Sequence, residues 1–128
     1  MTTPGLDFYT VTPCRLVDTR RPDDDLGGPA LVAGGDRSFT LVGTCAVPPE
    51  ARALSVNVTL TSPTARGNLR LCPAGSPLPT TSTINYSAGQ TRANNAIGGL
   101  STDGRLSVRC TQPGGTVHFV LDVNGYLR

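Results

Sequence analysis

No stretch of twelve residues in this chain keeps a helical period. Fifteen glycines and eleven prolines break the 128 residues every few positions, so a helix has nowhere to run. What recurs instead is alternation. From Leu54 to Leu60 the apolar residues Leu54, Val56, Val58 and Leu60 fall on one side, and Ser55, Asn57 and Thr59 on the other. That is a half-buried strand with one wet face. The run Thr116–Val123 is more evenly apolar and reads as a central strand. Shorter strand patterns occupy Phe8–Val11, Leu16–Thr19, Arg37–Val42, Leu69–Cys72, Thr83–Tyr86, Asn95–Ile97 and Leu106–Cys110. Turn residues separate them at Pro22–Gly28, Gly34-Gly35, Pro48-Pro49, Pro63–Gly67, Pro73–Pro79, Thr102–Gly104 and Gln112–Gly115.

Eight or nine short strands at this spacing describe an all-β antiparallel sandwich, with a jelly-roll or immunoglobulin-like Greek key, or alternatively a closed barrel. No threefold repeat marks a trefoil. The length fits one domain, residues 1–128. No run of 18 apolar residues spans a membrane, and no basic segment followed by an apolar stretch reads as a signal peptide. A net charge of +2 is too small to point to nucleic acid.

The two ends of the chain look alike. Cys14 to Arg20 (CRLVDTR) and Val120 to Tyr126 (VLDVNGY) each carry a carboxylate inside or beside an apolar run. A charge there is costly unless paired. The pattern predicts that the ends meet and share a polar network of Asp18, Arg20 and Asp122. If Asp122 is buried against Arg20, removing it should cost more than about 2 kcal/mol.

Cys14, Cys45, Cys72 and Cys110 are widely spaced, with no C-x-x-C and only His118 as a histidine, which argues against zinc. Four cysteines allow three pairings. Cys14–Cys45 and Cys72–Cys110 are the expected ones, each closing a loop of some thirty residues and stabilising by about 3–4 kcal/mol. Disulfides imply an oxidising compartment and hence export. Four buried free thiols are the other reading.

The order of several segments resembles a poorly characterised module of exported bacterial proteins, common in actinobacteria and acidobacteria. The carrying residues are PCRLVDTR from Pro13, GGPAL from Gly27, GGDRSF from Gly34, CAVP from Cys45, ALSVNVT from Ala53, STINY from Ser82, ANNA from Ala93 and LDVNGY from Leu121. The resemblance runs from about Phe8 to Tyr126. It implies an extracellular β-domain, and it supports the pairing of Cys14 with Cys45, whose positions are often cysteine in that family. No activity and no site residues come with it.

Candidates for chemistry are sparse. Asp23, Asp24 and Asp25 form an acidic loop where calcium is possible, although the spacing matches no EF-hand or nonapeptide repeat and a solvated loop is the simpler reading. Asp18 and Asp122 as a glycosidase pair would need an open cleft and a raised pKa, and their arginine and apolar neighbours favour a structural salt bridge. No G-x-S-x-G occurs. Sugar sites combine aromatic rings with amides. Tyr86 and Tyr126 are the candidate exposed rings, with Asn85 and Asn95 as candidate partners, whereas turn-capping asparagines are the plainer alternative. The sequence therefore reads as a non-catalytic extracellular surface module for adhesion or weak glycan or cell-wall binding. The runner-up is a subunit that assembles with copies of itself by strand addition at the Leu6–Val11 segment, and a hydrolase comes third.

Overall fold

In a computed structural model, described over residues 5–128, nine antiparallel strands form two facing sheets and no helix occurs among the described residues. The strands are β1 (Phe8–Asp18), β2 (Leu31–Val32), β3 (Asp36–Thr40), β4 (Ala53–Thr61), β5 (Gly67–Pro73), β6 (Ile84–Tyr86), β7 (Arg92–Gly99), β8 (Arg105–Thr111) and β9 (Thr116–Leu127). One sheet has the order β1-β9-β4-β7, with β2 paired to β9 beyond the end of β1. The other has the order β3-β8-β5-β6. The sheets do not close into a barrel.

The pairing follows a single rule. Early strands pair with late ones: β1 and β2 with β9, β3 with β8, β4 with β7, β5 with β6. The chain is thus one long antiparallel hairpin, rolled so that successive pairs fall in alternate sheets. This is the jelly-roll arrangement. It brings the outermost parts of the hairpin together, and Asp7 and Arg128 exchange backbone hydrogen bonds of 2.8 and 3.0 Å.

Alternation builds the core. Leu54, Val56, Val58 and Leu60 of β4, with Phe119, Leu121 and Val123 of β9, face Phe39 of β3, Leu69 of β5 and Leu106, Val108 and Cys110 of β8. All are buried, and the Phe39 and Phe119 rings stack across the sheets at 5.8 Å. A fully buried side chain of this size contributes about 1.5–3 kcal/mol. The run Thr116–Val123 is central, between β1 and β4. The two short patterns at Phe8–Val11 and Leu16–Thr19 prove to be one bulged strand, because Thr10 stands opposite Gly125 but Cys14 opposite Val123. β2 escaped detection because two residues carry no period.

Only one disulfide forms. Cys14 and Cys45 are joined, with Cα atoms 5.7 Å apart. The expected Cys72–Cys110 bridge is corrected: both thiols are free. They do lie on paired strands, but Cys110 stands opposite Leu69 and Cys72 opposite Ser107. Three positions along a strand is about 10 Å and an odd step, so the two side chains leave opposite faces of the sheet. No disulfide spans that.

Candidate functional site

The similar-looking ends of the chain do meet, with β1 and β9 side by side, but with different partners from those expected. Arg15 stands directly opposite Asp122. Its guanidinium donates from Nε to Oδ1 at 2.8 Å and from Nη2 to Oδ2 at 3.3 Å. Arg20 instead turns back on Asp18. Its backbone N–H and Nε reach Oδ1 at 3.0 and 2.9 Å, and Nη2 reaches Oδ2 at 2.9 Å. Arg15 Nη1, 3.6 Å from Asp18 Oδ2, joins the two pairs. The network therefore contains Asp18, Arg20 and Asp122, with Arg15 as the link. Asp122 is bound to Arg15 and not to Arg20. Its side chain is 29% exposed against 8% for Asp18, so the expected large cost of removing Asp122 belongs to Asp18 instead.

Asp18 is buried because it faces outward opposite the buried Val120, beneath its arginine partners. The Arg20 fork holds its carboxyl well below the usual range, at about 2, against the opposing effect of burial. The next residue, Thr19, is buried too. Here β1 has ended and β2 has not begun, so one edge of β9 lacks a strand. Thr19 fills the gap. Its N–H donates to Phe119 O at 3.0 Å, and its hydroxyl accepts the Phe119 N–H at 2.8 Å and meets His118 Nδ1 at 3.0 Å.

Around the Arg15–Asp122 pair lies an open hollow of about 540 Å³, lined by Pro13, Cys14, Arg15, Arg21, Asn57, Asp122, Val123 and Asn124. Its floor is the outer face of β1, β9 and β4. The lining holds two guanidiniums and one carboxylate, so one positive charge is left over. Arg21, exposed, has no ion-pair partner among the described residues. Asn57 donates to Thr59 at 3.3 Å, which leaves its carbonyl oxygen available. The hollow thus offers donors and acceptors on a rigid floor, the arrangement a polar ligand needs.

The other candidate residues do not converge. Tyr86, expected as an exposed ring, is 5% exposed. Its hydroxyl donates to Gln112 at 2.6 Å, and burial pushes its pKa up. The sequence carried a sign of this, since Ile84 and Tyr86 share one face of β6. Asn85 is exposed on the same short strand and accepts from Ser82 at 2.8 Å. Asn95 lies on the other sheet, opposite Asn57. Tyr126 stacks on Tyr9 at 5.2 Å, on the core side of β9. These four residues form no common site.

The acidic loop does not gather into a calcium site. Among the described residues no three His, Cys, Asp or Glu side chains come together as metal ligands. Asp24 accepts the Leu26 N–H at 2.8 Å, and Arg37 donates to the carbonyls of Asp24, Gly28 and Pro29. Arg37 thus ties the loop together through its backbone carbonyls. Burial raises the pKa of both free thiols, Cys72 and Cys110.

No protein-family profile and no curated protein matches the sequence. Solved structures do. A Tobacco streak virus coat protein is similar over 100% of this chain and 89% of its own, with a TM-score of 0.51 and 12% identity. A second structure of that coat protein, a dimer, covers 98% and 88% with a TM-score of 0.49 and 12% identity. At this identity the first likeness is one of fold: an all-β sandwich of the kind seen in a viral coat protein.

Proposed function

We propose that this chain is a non-catalytic recognition module of an exported bacterial protein, and that the hollow over β1, β9 and β4 binds an acidic polysaccharide of the cell surface. The observation that carries the reading is Arg21, an unpaired cation beside the Arg15–Asp122 pair, Asn57 and Asn124. A guanidinium suits a carboxylate or phosphate group, while amides and a carboxylate suit sugar hydroxyls. The Cys14–Cys45 disulfide supports an oxidising compartment.

The state of the ionisable groups argues against hydrolysis. A carboxylate pair needs one member free and protonated near neutral pH. Asp18 is held ionised by Arg20, and Asp122 is engaged by Arg15.

Titration calorimetry with polygalacturonate, and with neutral dextran as control, tests the reading. The expected result is salt-sensitive binding to the acidic polymer alone, weakened about tenfold by Arg21→Ala. Equal affinity for both polymers, no binding to either, or no effect of Arg21→Ala refutes it.

Self-association is the second reading, favoured by exposed Leu6, Phe8 and Tyr9 beside the free edge of β1 and by a fold that a viral coat protein also uses.

A further inference from the structure

We propose that the first described residues, Gly5–Thr10, form an exchangeable arm that two copies swap, each arm lying along β9 of the other copy. The inference is independent of the polysaccharide reading.

β1 has two halves of different character. From Cys14 onward it is pinned by the disulfide to Cys45, by the buried Leu16 and Val17, and by the paired Arg15 and Asp18. Up to Thr10 it is paired with the last residues of β9, Gly125–Leu127. Between the halves the ladder breaks. Thr10 pairs with Gly125 and Cys14 with Val123, so Val11, Thr12 and Pro13 stand against Asn124 alone. The three residues arch away, and a hollow of about 510 Å³ lies against the arch, lined by Thr10–Cys14, Cys45, Ala46 and Tyr126. Val11 packs against the core, while Thr12 and Pro13 are exposed. Pro13 cannot donate to a ladder, and it biases Thr12 toward extended backbone. An extended hinge directs an arm away from its own body as readily as along it.

The arm gathers exposed apolar side chains that elsewhere stand singly. Six large hydrophobic side chains are exposed among the described residues, and three of them, Leu6, Phe8 and Tyr9, lie within four positions. Its seat is specific. The Phe8 ring rests on Gly125, where a Cβ would collide with it. Tyr9 stacks on Tyr126, and the Arg128 guanidinium lies 5.7 Å from the Tyr9 ring centre. Asp7 and Arg128 close the seam by exchanging backbone hydrogen bonds.

A second copy is the one partner that brings both a matching arm and a matching seat. Exchange about a twofold axis keeps every one of these contacts and alters only the hinge, which is why swapping is a low-cost route to dimers. Extended, residues 5–13 reach about 30 Å, about three times the ~10 Å spacing of packed sheets. The disulfide sets the limit, since nothing beyond Cys14 can leave.

The test is a mixed cross-link in the full chain, in a Cys72→Ser background. Asp7 and Arg128 form a mutually hydrogen-bonded pair, for which a Cα separation of about 5.5 Å suits a disulfide. Asp7→Cys and Arg128→Cys are made in separate chains of different tag length, incubated together at high concentration and oxidised. The expected product is the Asp7→Cys/Arg128→Cys heterodimer, in at least tenfold excess over either symmetric dimer. Deleting Val11 and Thr12 leaves Pro13 alone opposite Asn124 and removes the hinge, so that variant should stay monomeric by light scattering at concentrations where the parent is partly dimeric. If the deletion does not fold, the cross-link decides. A parent that stays monomeric at every concentration overturns the proposal. So does a dimer that gives no mixed link.

Discussion

Asp18 offers the sharpest test of how the two ends of this chain are held. Asp18→Asn keeps the shape of the side chain and removes its charge. The carboxyl has a pKa of about 2 in the folded protein against an ordinary value of 3.8, mainly because of the Arg20 fork. A depressed pKa stabilises the fold above the unfolded value, and the contribution is lost as pH falls through the folded value. At 1.36 kcal/mol per unit, the charge contributes about 2 kcal/mol at neutral pH. The side chain is 8% exposed, so water screens little of this, while the half-exposed Arg20 can return to solvent when its partner is lost. Urea denaturation of both proteins is the assay, with the slope checked for constancy. The stability gap should be about 2 kcal/mol from pH 7 down to about 4, about half of that at pH 3, and nearly gone at pH 2. A gap that stays flat from pH 7 to pH 2, or one below about 0.5 kcal/mol at pH 7, would show that the fork does not stabilise the ionised carboxylate.

Asp122→Ala should cost less than about 1 kcal/mol in the same assay, because its partner Arg15 is 42% exposed and the pair is screened. Thr19→Val leaves the buried Phe119 N–H without an acceptor and should cost about 1–3 kcal/mol, with faster hydrogen exchange at that amide. Replacing both Cys14 and Cys45 by serine opens a link across 31 residues, which should lower stability by about 3–4 kcal/mol in thermal or urea unfolding. Gly125→Val puts side-chain atoms where the Phe8 ring lies, so proteolysis near Phe8 should speed up while the core beyond Cys14 stays protected.

Strand positions were legible because burial on one face writes a period of two into the sequence. Leu54–Leu60 shows this without ambiguity, and the meeting of the ends was legible from two costly carboxylates in apolar runs. Partner choice was not. Arg15 faces Asp122 because of a register interrupted by an arch at Val11–Pro13, and no local pattern announces how far an arch shifts a ladder. The unformed Cys72–Cys110 bridge failed for a related reason. Both residues end strands in the sequence, but cross-strand contact depends on parity across the pair, and here the offset is odd. Thr19 was missed because its role exists only where β1 stops and β9 continues. The hollow was missed because Arg21 and Asn57 are thirty-six positions apart and carry no shared pattern.

By itself, then, the sequence determined the local grammar: no helix, nine turn-bounded segments of which eight were recognisable in outline, an inward face for Leu54–Leu60, and ends that need one another. These follow from local sterics and from the cost of exposing apolar or stranding charged groups, which act residue by residue. The tertiary structure alone decided which arginine meets which carboxylate, which cysteines bond, and that Tyr86 serves the core while Arg21 has no ion-pair partner among the described residues. Such outcomes depend on register and on how a rolled hairpin superposes distant strands, and a one-residue change in register exchanges every contact on a face.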